Sequence, residues 1–340
     1  MSYIKFFKDI TKKDVAIAGG KGTSLGEMTK AKIPVPPGFV VLASAFDRFL
    51  EETQLKGEIA ARLAEVKPED TNSVDKASNV IRDAIHDRLM PEDLQKEILQ
   101  AFDELSSEQK DSRFRGNDSL CLVAVRSSAT AEDSAVASWA GELETYLNST
   151  RDNVGERVKL CWSSLFTPRA IFYRHEKKLI DHYVSVAVVV QKMIQSEISG
   201  IAFTVHPVTE DPNQMIIEAG YGLGEAIVSG QITPDSYIVS KSEMSITDIN
   251  IGHQTRKLIK KQTGDKKGKD DEENKSNEWI DLGAEGEKQK LTGKQIMEVA
   301  KVCQQIEDHY KFPCDIEWAM ESGKIYITQS RPITTLKNKL

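Results

Sequence analysis

The chain is poor in several features that usually assign a protein quickly. Its 340 residues hold four cysteines and six histidines. Cys121, Cys161, Cys303 and Cys314 form no C-x-x-C pair and sit in apolar patterns. Buried free thiols are therefore expected, not a zinc site or a disulfide framework. The histidines make no H-E-x-x-H and no His-x-His, which excludes the commonest two-histidine metal motif. Basic charge is not in excess: 45 Lys and Arg stand against 52 Asp and Glu, a net charge of −7. No global field then favours nucleic acid or an anionic membrane, and an anionic ligand must be held by a local cluster. No apolar run reaches membrane-spanning length; the longest, Val184 to Val190 with Ser185 inside it, is strand-sized. The N-terminal Met1-Ser2-Tyr3-Ile4-Lys5 lacks a secretory apolar core, so the expected compartment is the cytoplasm. A hydrophobic content of 39% over this length fits two or three packed units.

Glycine, by contrast, is placed where it can serve a phosphate. Gly19-Gly20-Lys21-Gly22-Thr23-Ser24-Leu25-Gly26-Glu27-Met28 reads as a glycine-rich loop feeding a helix, whose apolar face starts at Leu25 and Met28. Closely spaced glycines let backbone amides approach a phosphate, and a helix N-terminus favours negative charge. It is not a Walker A loop, because Val15 occupies the first glycine position and Gly22 follows the lysine. Taken alone, a flexible turn explains the glycines equally well. Ile33-Pro34-Val35-Pro36-Pro37-Gly38 predicts a rigid loop, then a strand over Phe39 to Leu42 and a helix capped by Ser44. Helical periodicity follows to about Leu105, broken at Pro68 and Pro91, with Val80, Ile81, Ala84, Ile85 and Leu89 on its apolar face. The polar stretch Ser106 to Ser119 is expected to be an exposed insertion.

Further along, Leu120-Cys121-Leu122-Val123-Ala124-Val125 predicts a strand ending at Arg126, before the hydroxyls and carboxylates of Ser127-Ser128-Ala129-Thr130-Ala131-Glu132-Asp133. Strand ends in mixed sheets commonly hold ligands. Gly141 offers close backbone approach and Thr145 a hydroxyl; a turn and an edge strand is the plainer alternative. Tyr183 to Ile194 predicts a strand buried on both faces until Gln191. Met215 to Glu225 runs from a strand through the glycine-rich Tyr221-Gly222-Leu223-Gly224. Gly264 to Asn277 has no apolar residue and predicts a mobile polar loop. Thr292 and Gln295 form a capping box for a helix to Tyr310 that buries Ile296, Val299, Val302, Cys303 and Ile306.

That helix leads to Asp315-Ile316-Glu317-Trp318-Ala319-Met320-Glu321-Ser322-Gly323-Lys324-Ile325-Tyr326-Ile327-Thr328-Gln329-Ser330-Arg331-Pro332, which predicts a β-hairpin. A three-residue loop of Ser322, Gly323 and Lys324 would set Glu317 opposite Gln329 and Asp315 opposite Arg331. One face would then carry two carboxylates, an amide and a guanidinium, while Ile316, Trp318 and Met320 cover the other. Hard oxygen donors beside an arginine suit Mg²⁺ and phosphate together. A half-buried hairpin with a solvated polar face is the ordinary alternative.

In combination these motifs are more specific than any one of them. The Gly19–Met28 stretch, Val125 to Asp133, Tyr221-Gly222-Leu223-Gly224-Glu225 and Gln329-Ser330-Arg331-Pro332 occur in an order that resembles the N-terminal nucleotide-binding region of the phosphoenolpyruvate synthase (pyruvate, water dikinase) and pyruvate phosphate dikinase family, a region also similar to that of rifampicin phosphotransferase. The resemblance covers about Lys5 to Thr334, the two polar insertions excepted. It implies an α/β fold with α+β mixed sheets, ATP-grasp-like, built from two to three subdomains. Those expected are residues 1–110 with the Gly-Gly-Lys loop and helical scaffold, 111–190 with the Arg-Ser-Ser-Ala-Thr motif, and 191–335 with the hairpin and the polar loop 264–277. The resemblance further implies that Lys21 and Arg126 contact ATP phosphates, that Gly141 and Thr145 lie on a covering loop, and that Gln191 and Met193 sit by the adenine. Glu317 and Gln329 would coordinate Mg²⁺, and Arg331, with Lys21 and Arg126, would serve catalysis by neutralising charge on the transferred group. Glu218 and Glu225 are weaker candidates.

The implied activity is a phosphotransferase with paired acceptors, which cleaves ATP and passes a phosphoryl or pyrophosphoryl group to a histidine. None of the six histidines stands in the family's Thr-Ser-His context, and the chain stops at Leu340. The swivelling phosphohistidine domain and the pyruvate-binding domain are thus expected in trans or outside this segment. The alternatives are a non-catalytic nucleotide-binding module and a related dikinase domain with another acceptor, as in rifampicin phosphotransferase.

Overall fold

The computed structural model describes residues 2–107, 121–130, 144–177, 184–261, 276–334 and 336. Its contacts divide the chain into two units: 1–27 with 37–193, and 28–36 with 194–340. The expected boundary at 110/111 falls inside the first unit, and that at 190/191 falls close to the crossing at Met193.

In the first unit the order is β1 (Ile4–Phe6), α1 (Val15–Lys30, which runs on into the second unit), β2 (Gly38–Val41), α2 (Ala43–Glu52), α3 (Leu55–Ala64), α4 (Thr71–Asp87), α5 (Glu92–Ser107), β3 (Val123–Ala129), β4 (Thr145–Ser149), α6 (Val154–Ser163), α7 (Pro168–Glu176) and β5 (Val186–Lys192). The strands form one antiparallel sheet ordered β1-β2-β5-β3-β4. Side chains alternate along each strand, so the sheet has two chemically different faces. Phe39, Val41, Val123, Val125, Val186, Val188 and Val190 share one face and are fully buried in the main core, with residues of α2, α5 and α6. Each such valine contributes roughly 1.5–3 kcal/mol. Trp162 fills this core beside Phe46 and Phe49, at centroid distances of 5.5 and 5.2 Å. The opposite face carries Val40, Val189, Gln191, Arg126 and Ser128, and α1 lies on it: a Cβ on Gly22 would meet Val40 Cγ2 at 3.0 Å.

Local signals fared unevenly here. Pro68 and Pro91 separate α3, α4 and α5 as expected, and Pro168 opens α7 with Thr167 as its cap. Ser44 does not cap α2; Leu42 is the extended N-cap residue and no side chain caps it. Leu89 lies beyond α4 and is 88% exposed, because the helix stops at Asp87 before its apolar stripe reaches that position.

In the second unit the order is β6 (Ile198–Phe203), β7 (Gln214–Tyr221), α8 (Glu225–Val228), β8 (Asp235–Ser240), β9 (Ser245–Asn250), β10 (Arg256–Lys260), β11 (Asn277–Asp281), α9 (Gly293–Tyr310), β12 (Cys314–Glu321) and β13 (Lys324–Pro332). Six strands form an antiparallel sheet ordered β13-β12-β6-β7-β8-β9, and β10 pairs with β11 separately. The Thr292–Gln295 capping box is present, and α9 buries Ile296, Val299, Ala300, Cys303 and Ile306. Val302 is only partly buried. Of the polar stretch 264–277, residues 264–275 lie outside the described set and Asn277 already belongs to β11. All four cysteines are buried and free. Burial pushes the Cys161 thiol up to about 12, so it offers no thiolate nucleophile. No helix among the described residues is long and apolar enough to cross a membrane.

Candidate functional site

The glycine-rich stretch is not one continuous helix. Gly19 has φ 69° and ψ 174°, so a turn over Val15–Ala18 ends there and a fresh helix starts beyond it. This left-handed value is cheap only for glycine. The packing also requires glycine, since a Cβ on Gly19 would lie 2.2 Å from Ser128 Oγ and 2.4 Å from the Ser128 carbonyl oxygen. Lys21 therefore sits in the first turn of a helix, half-buried, on the polar face of the five-stranded sheet. Ser128 Oγ donates to the Ala18 carbonyl at 3.0 Å and accepts from the Gly22 amide at 3.3 Å.

Arg126 was expected at the end of a strand, but β3 continues through it to Ala129. The reason is the partner strand: β5 keeps pairing down to Val186 opposite Ala129, so no ladder bond is lost beyond the arginine. Arg126 lies opposite Val189 on one side and Thr145 on the other. Thr145 opens β4, the edge strand, and is exposed; Gly141 lies outside the described residues. Gln191 stands on the same face as Arg126, two residue pairs along the ladder, and is 2% exposed. The strand was expected to stay buried only until this residue, yet the glutamine itself is enclosed. Arg126 Nη1 donates to Gln191 Oε1 at 3.3 Å. Gln191 Nε2 is buried with no hydrogen-bond partner among the described residues. A guanidinium can only donate, so it holds the carbonyl end of Gln191 and orients the amide end as a donor. Met193 follows β5, with its amide bonded to the Leu122 carbonyl at 2.9 Å.

In the second unit the hairpin has the expected register at its polar end, with Glu317 opposite Gln329 and Asp315 opposite Arg331. The route to that register differs from expectation. The loop is the two residues Ser322 and Gly323, with φ of 51° and 72°, and Glu321 pairs with Lys324. Positive φ at both central positions is the signature of a type I′ turn, whose twist suits a hairpin. A regular ladder from that turn would keep Gln329 in step with Ile325 and Ile327, on the apolar face. A bulge between Glu317 and Trp318 adds one residue on β13 and moves Gln329 and Arg331 to the polar face. Thr328 Oγ1 donates to the Glu317 carbonyl at 3.2 Å within this bulge. Ile316, Trp318 and Met320 are buried on the other face, as expected. Tyr326, one residue out of the expected register, packs with Ile194 and Ala319.

Arg331 grips Asp315 through Nε at 2.8 Å and Nη2 at 2.7 Å. Glu218 of β7 shares the row of Glu317 through Ile201 of β6. Burial raises its carboxyl above the usual range, and the nearby Asp315 charge adds to the effect. Glu225 begins α8 and accepts from Asn277 Nδ2 at 3.2 Å. The bend at Gly222 is tied down from both sides, its carbonyl accepting the hydroxyls of Ser196 at 3.0 Å and Ser199 at 2.7 Å. No group of three or more His, Cys, Asp or Glu able to hold a metal occurs among the described residues. Glu317 and Gln329 thus do not make an all-protein cage. Their two oxygen donors fit Mg²⁺, which usually takes one or two protein oxygens and completes its shell with phosphates and water.

The sites fall into two sets, each within one unit: Lys21, Arg126, Thr145, Gln191 and Met193 in the first, and Glu317, Gln329 and Arg331 in the second. Residues 15–340 match the family described as "Pyruvate phosphate dikinase, AMP/ATP-binding domain". Over 339 residues the chain is 44% identical to a protein of Methanocaldococcus jannaschii named "Probable phosphoenolpyruvate synthase", covering 99% of this chain and 27% of that protein. Similar matches are the "Probable phosphoenolpyruvate synthase" of Archaeoglobus fulgidus, 45% identical over 99% of this chain and 42% of its own length, and the "Phosphoenolpyruvate synthase" of Pyrococcus furiosus, 43% identical over 99% and 44%. The chain spans less than half the length of these relatives.

Proposed function

Since the chain belongs to the pyruvate phosphate dikinase AMP/ATP-binding domain family, we propose that it binds ATP with Mg²⁺, cleaves it and donates a phosphoryl or pyrophosphoryl group to a histidine on another domain. In the whole protein this step would serve the conversion of pyruvate, ATP and water to phosphoenolpyruvate, AMP and phosphate, in keeping with the relatives' names. The observation that carries the reading is the hairpin register, with Glu317 opposite Gln329 and Arg331 one step along the same face. The bulge that brings the Gln329 amide and the Arg331 guanidinium onto the face of Glu317 and Asp315 supports it.

Lys21 and Arg126 bind and orient the polyphosphate, the lysine as a point charge in the first turn of a helix, the arginine as a planar donor fork. Gln191 presents its amide donor to an acceptor on the base, fixed in that orientation by Arg126. Thr145 adds a hydroxyl at the sheet edge, and Met193 an apolar surface for the adenine. Glu317 and Gln329 hold the metal ion, which when bound withdraws charge from the phosphate oxygens. Arg331 offsets charge on the group in flight, and Asp315 keeps its guanidinium aimed across the strands. Phosphoryl transfer of this type needs positioning and charge neutralisation, with no covalent role for these side chains.

The test combines the chain, a separately expressed phosphorylatable histidine domain, labelled ATP and Mg²⁺. The expected products are AMP and a phosphohistidine on the acceptor, with the remaining phosphoryl group released to water as phosphate. If ATP binds and neither product forms, the transfer reading fails and a nucleotide-binding module without turnover takes its place.

A further inference from the structure

We propose that Ser128 is a positioning residue for Lys21, a hydroxyl staple that holds the start of the phosphate-facing helix in place; this rests on the ATP reading above. Three observations meet on this one side chain. Its Oγ donates to the carbonyl of Ala18, the last residue before the break, at 3.0 Å. The same Oγ accepts the amide of Gly22, in the first turn after the break, at 3.3 Å. Gly19, the break itself, is pressed against Ser128 so closely that any Cβ there would overlap the hydroxyl and the carbonyl. The serine is fully enclosed, so water cannot substitute for either bond.

The consequence follows from helix geometry. The first amides of a helix have no partner within it, and here one of them is consumed by Ser128. That bond sets the direction in which the remaining first-turn amides and Lys21 point. Because Ser128 is two residues from Arg126 on the same face of β3, one strand fixes both the arginine and the turn that carries the lysine. A flexible glycine loop thereby becomes a preorganised one, with its conformational cost met in folding and not on binding.

The measurement compares affinities of ATP and adenosine for the full 340-residue chain in wild type, Ser128→Ala, Lys21→Ala and the double variant. Ser128→Ala should weaken ATP about tenfold, the scale of one charge-assisted hydrogen bond, and leave adenosine within about twofold. Added to Lys21→Ala it should cost little more, since the staple acts through the lysine turn. Gly19→Ala pushes the turn away from an intact serine and should reproduce the selective loss of ATP, which keeps the idea testable if Ser128→Ala does not fold. Equal loss of ATP and adenosine, no loss at all, or full additivity with Lys21→Ala overturns the positioning role. A wild-type chain that binds ATP no better than adenosine overturns the ATP reading itself, and the staple's role with it.

Discussion

Two aspartate–cation pairs sit on the same six-stranded sheet and differ in everything but their contact distance. Asp235 and Lys290 meet at 2.8 Å with both side chains at 0% exposure. Asp315 and Arg331 meet at 2.7 Å at 13% and 39% exposure. Around the first pair every polar atom has an assignment: Asp235 accepts the Tyr237 hydroxyl at 2.6 Å, the Gly252 amide at 3.0 Å and the Lys290 amide at 2.7 Å. Lys290 Nζ also donates to the carbonyls of Gly252 and Gly286, at 2.5 and 3.1 Å. A charge sealed off in this way is committed to its neighbours, tying β8 to the segments before β10 and α9. The second pair is oriented but stays partly exposed at its guanidinium, where a dissolved anion can reach it. The difference teaches that burial with complete pairing marks a structural ion pair, whereas an oriented pair that keeps its exposure marks a candidate for chemistry.

That contrast can be broken by removing the cations in turn. Lys290→Met should cost about 3–5 kcal/mol of stability, because Asp235 would remain buried without its counter-charge; urea unfolding checks it, and a loss below about 1 kcal/mol would show that the pair is not committed. Arg331→Met should change stability by only about 0.2–1 kcal/mol. Its effect belongs to turnover: AMP formation with a histidine acceptor should fall roughly 10²–10³-fold, the range for a lost charge-stabilising donor, and more than ATP affinity falls. Equal effects on stability from the two variants would erase the distinction.

Smaller changes sharpen it. Tyr237→Phe removes one bond to Asp235 and also leaves the Leu291 amide, now 3.2 Å from the tyrosine oxygen, without its acceptor. The expected cost is about 1–3 kcal/mol, again by urea unfolding. The smallest effect is expected from Glu218→Gln, beside the open pair. The Glu218 carboxyl is raised above its ordinary 4.5 by burial first and the Asp315 charge second. Its protonated form is therefore favoured in the folded state, so its contribution is fully present below about pH 4.5 and is lost as pH rises through the raised value. The glutamine variant should melt higher than wild type at pH 7, and the gap should close in acid; thermal melts across that range decide it.

Much of the candidate site was legible because it depends on short-range rules. Alternation along Asp315–Glu317 and Gln329–Arg331 predicted which side chains share a face, and the register at that end agrees. The turn end was misjudged: Ser322 and Gly323 alone form the loop, both at positive φ, and the bulge compensates for a loop one residue shorter than expected. The break at Gly19 was expected only as a loose glycine-rich loop. Its sharp form depends on Ser128, 110 residues from Ala18, and no periodicity in either segment announces that contact. Arg126 appeared to end a strand because polar residues follow it, whereas pairing to β5 overrides that local preference.

What the sequence by itself determined are the features whose causes lie within a few residues: the capping box of Thr292 and Gln295, the proline-separated helices, the alternating hairpin faces and the family motifs. Only the tertiary structure decided the rest: the staple of Ser128 on the Gly19 turn, the orientation of Gln191 by Arg126, and which of two aspartate–cation pairs would be sealed. Hydrogen bonds, buried charges and close packing of a glycine are satisfied by partners brought together in folding, and residues far apart along the chain carry no local pattern that names those partners in advance.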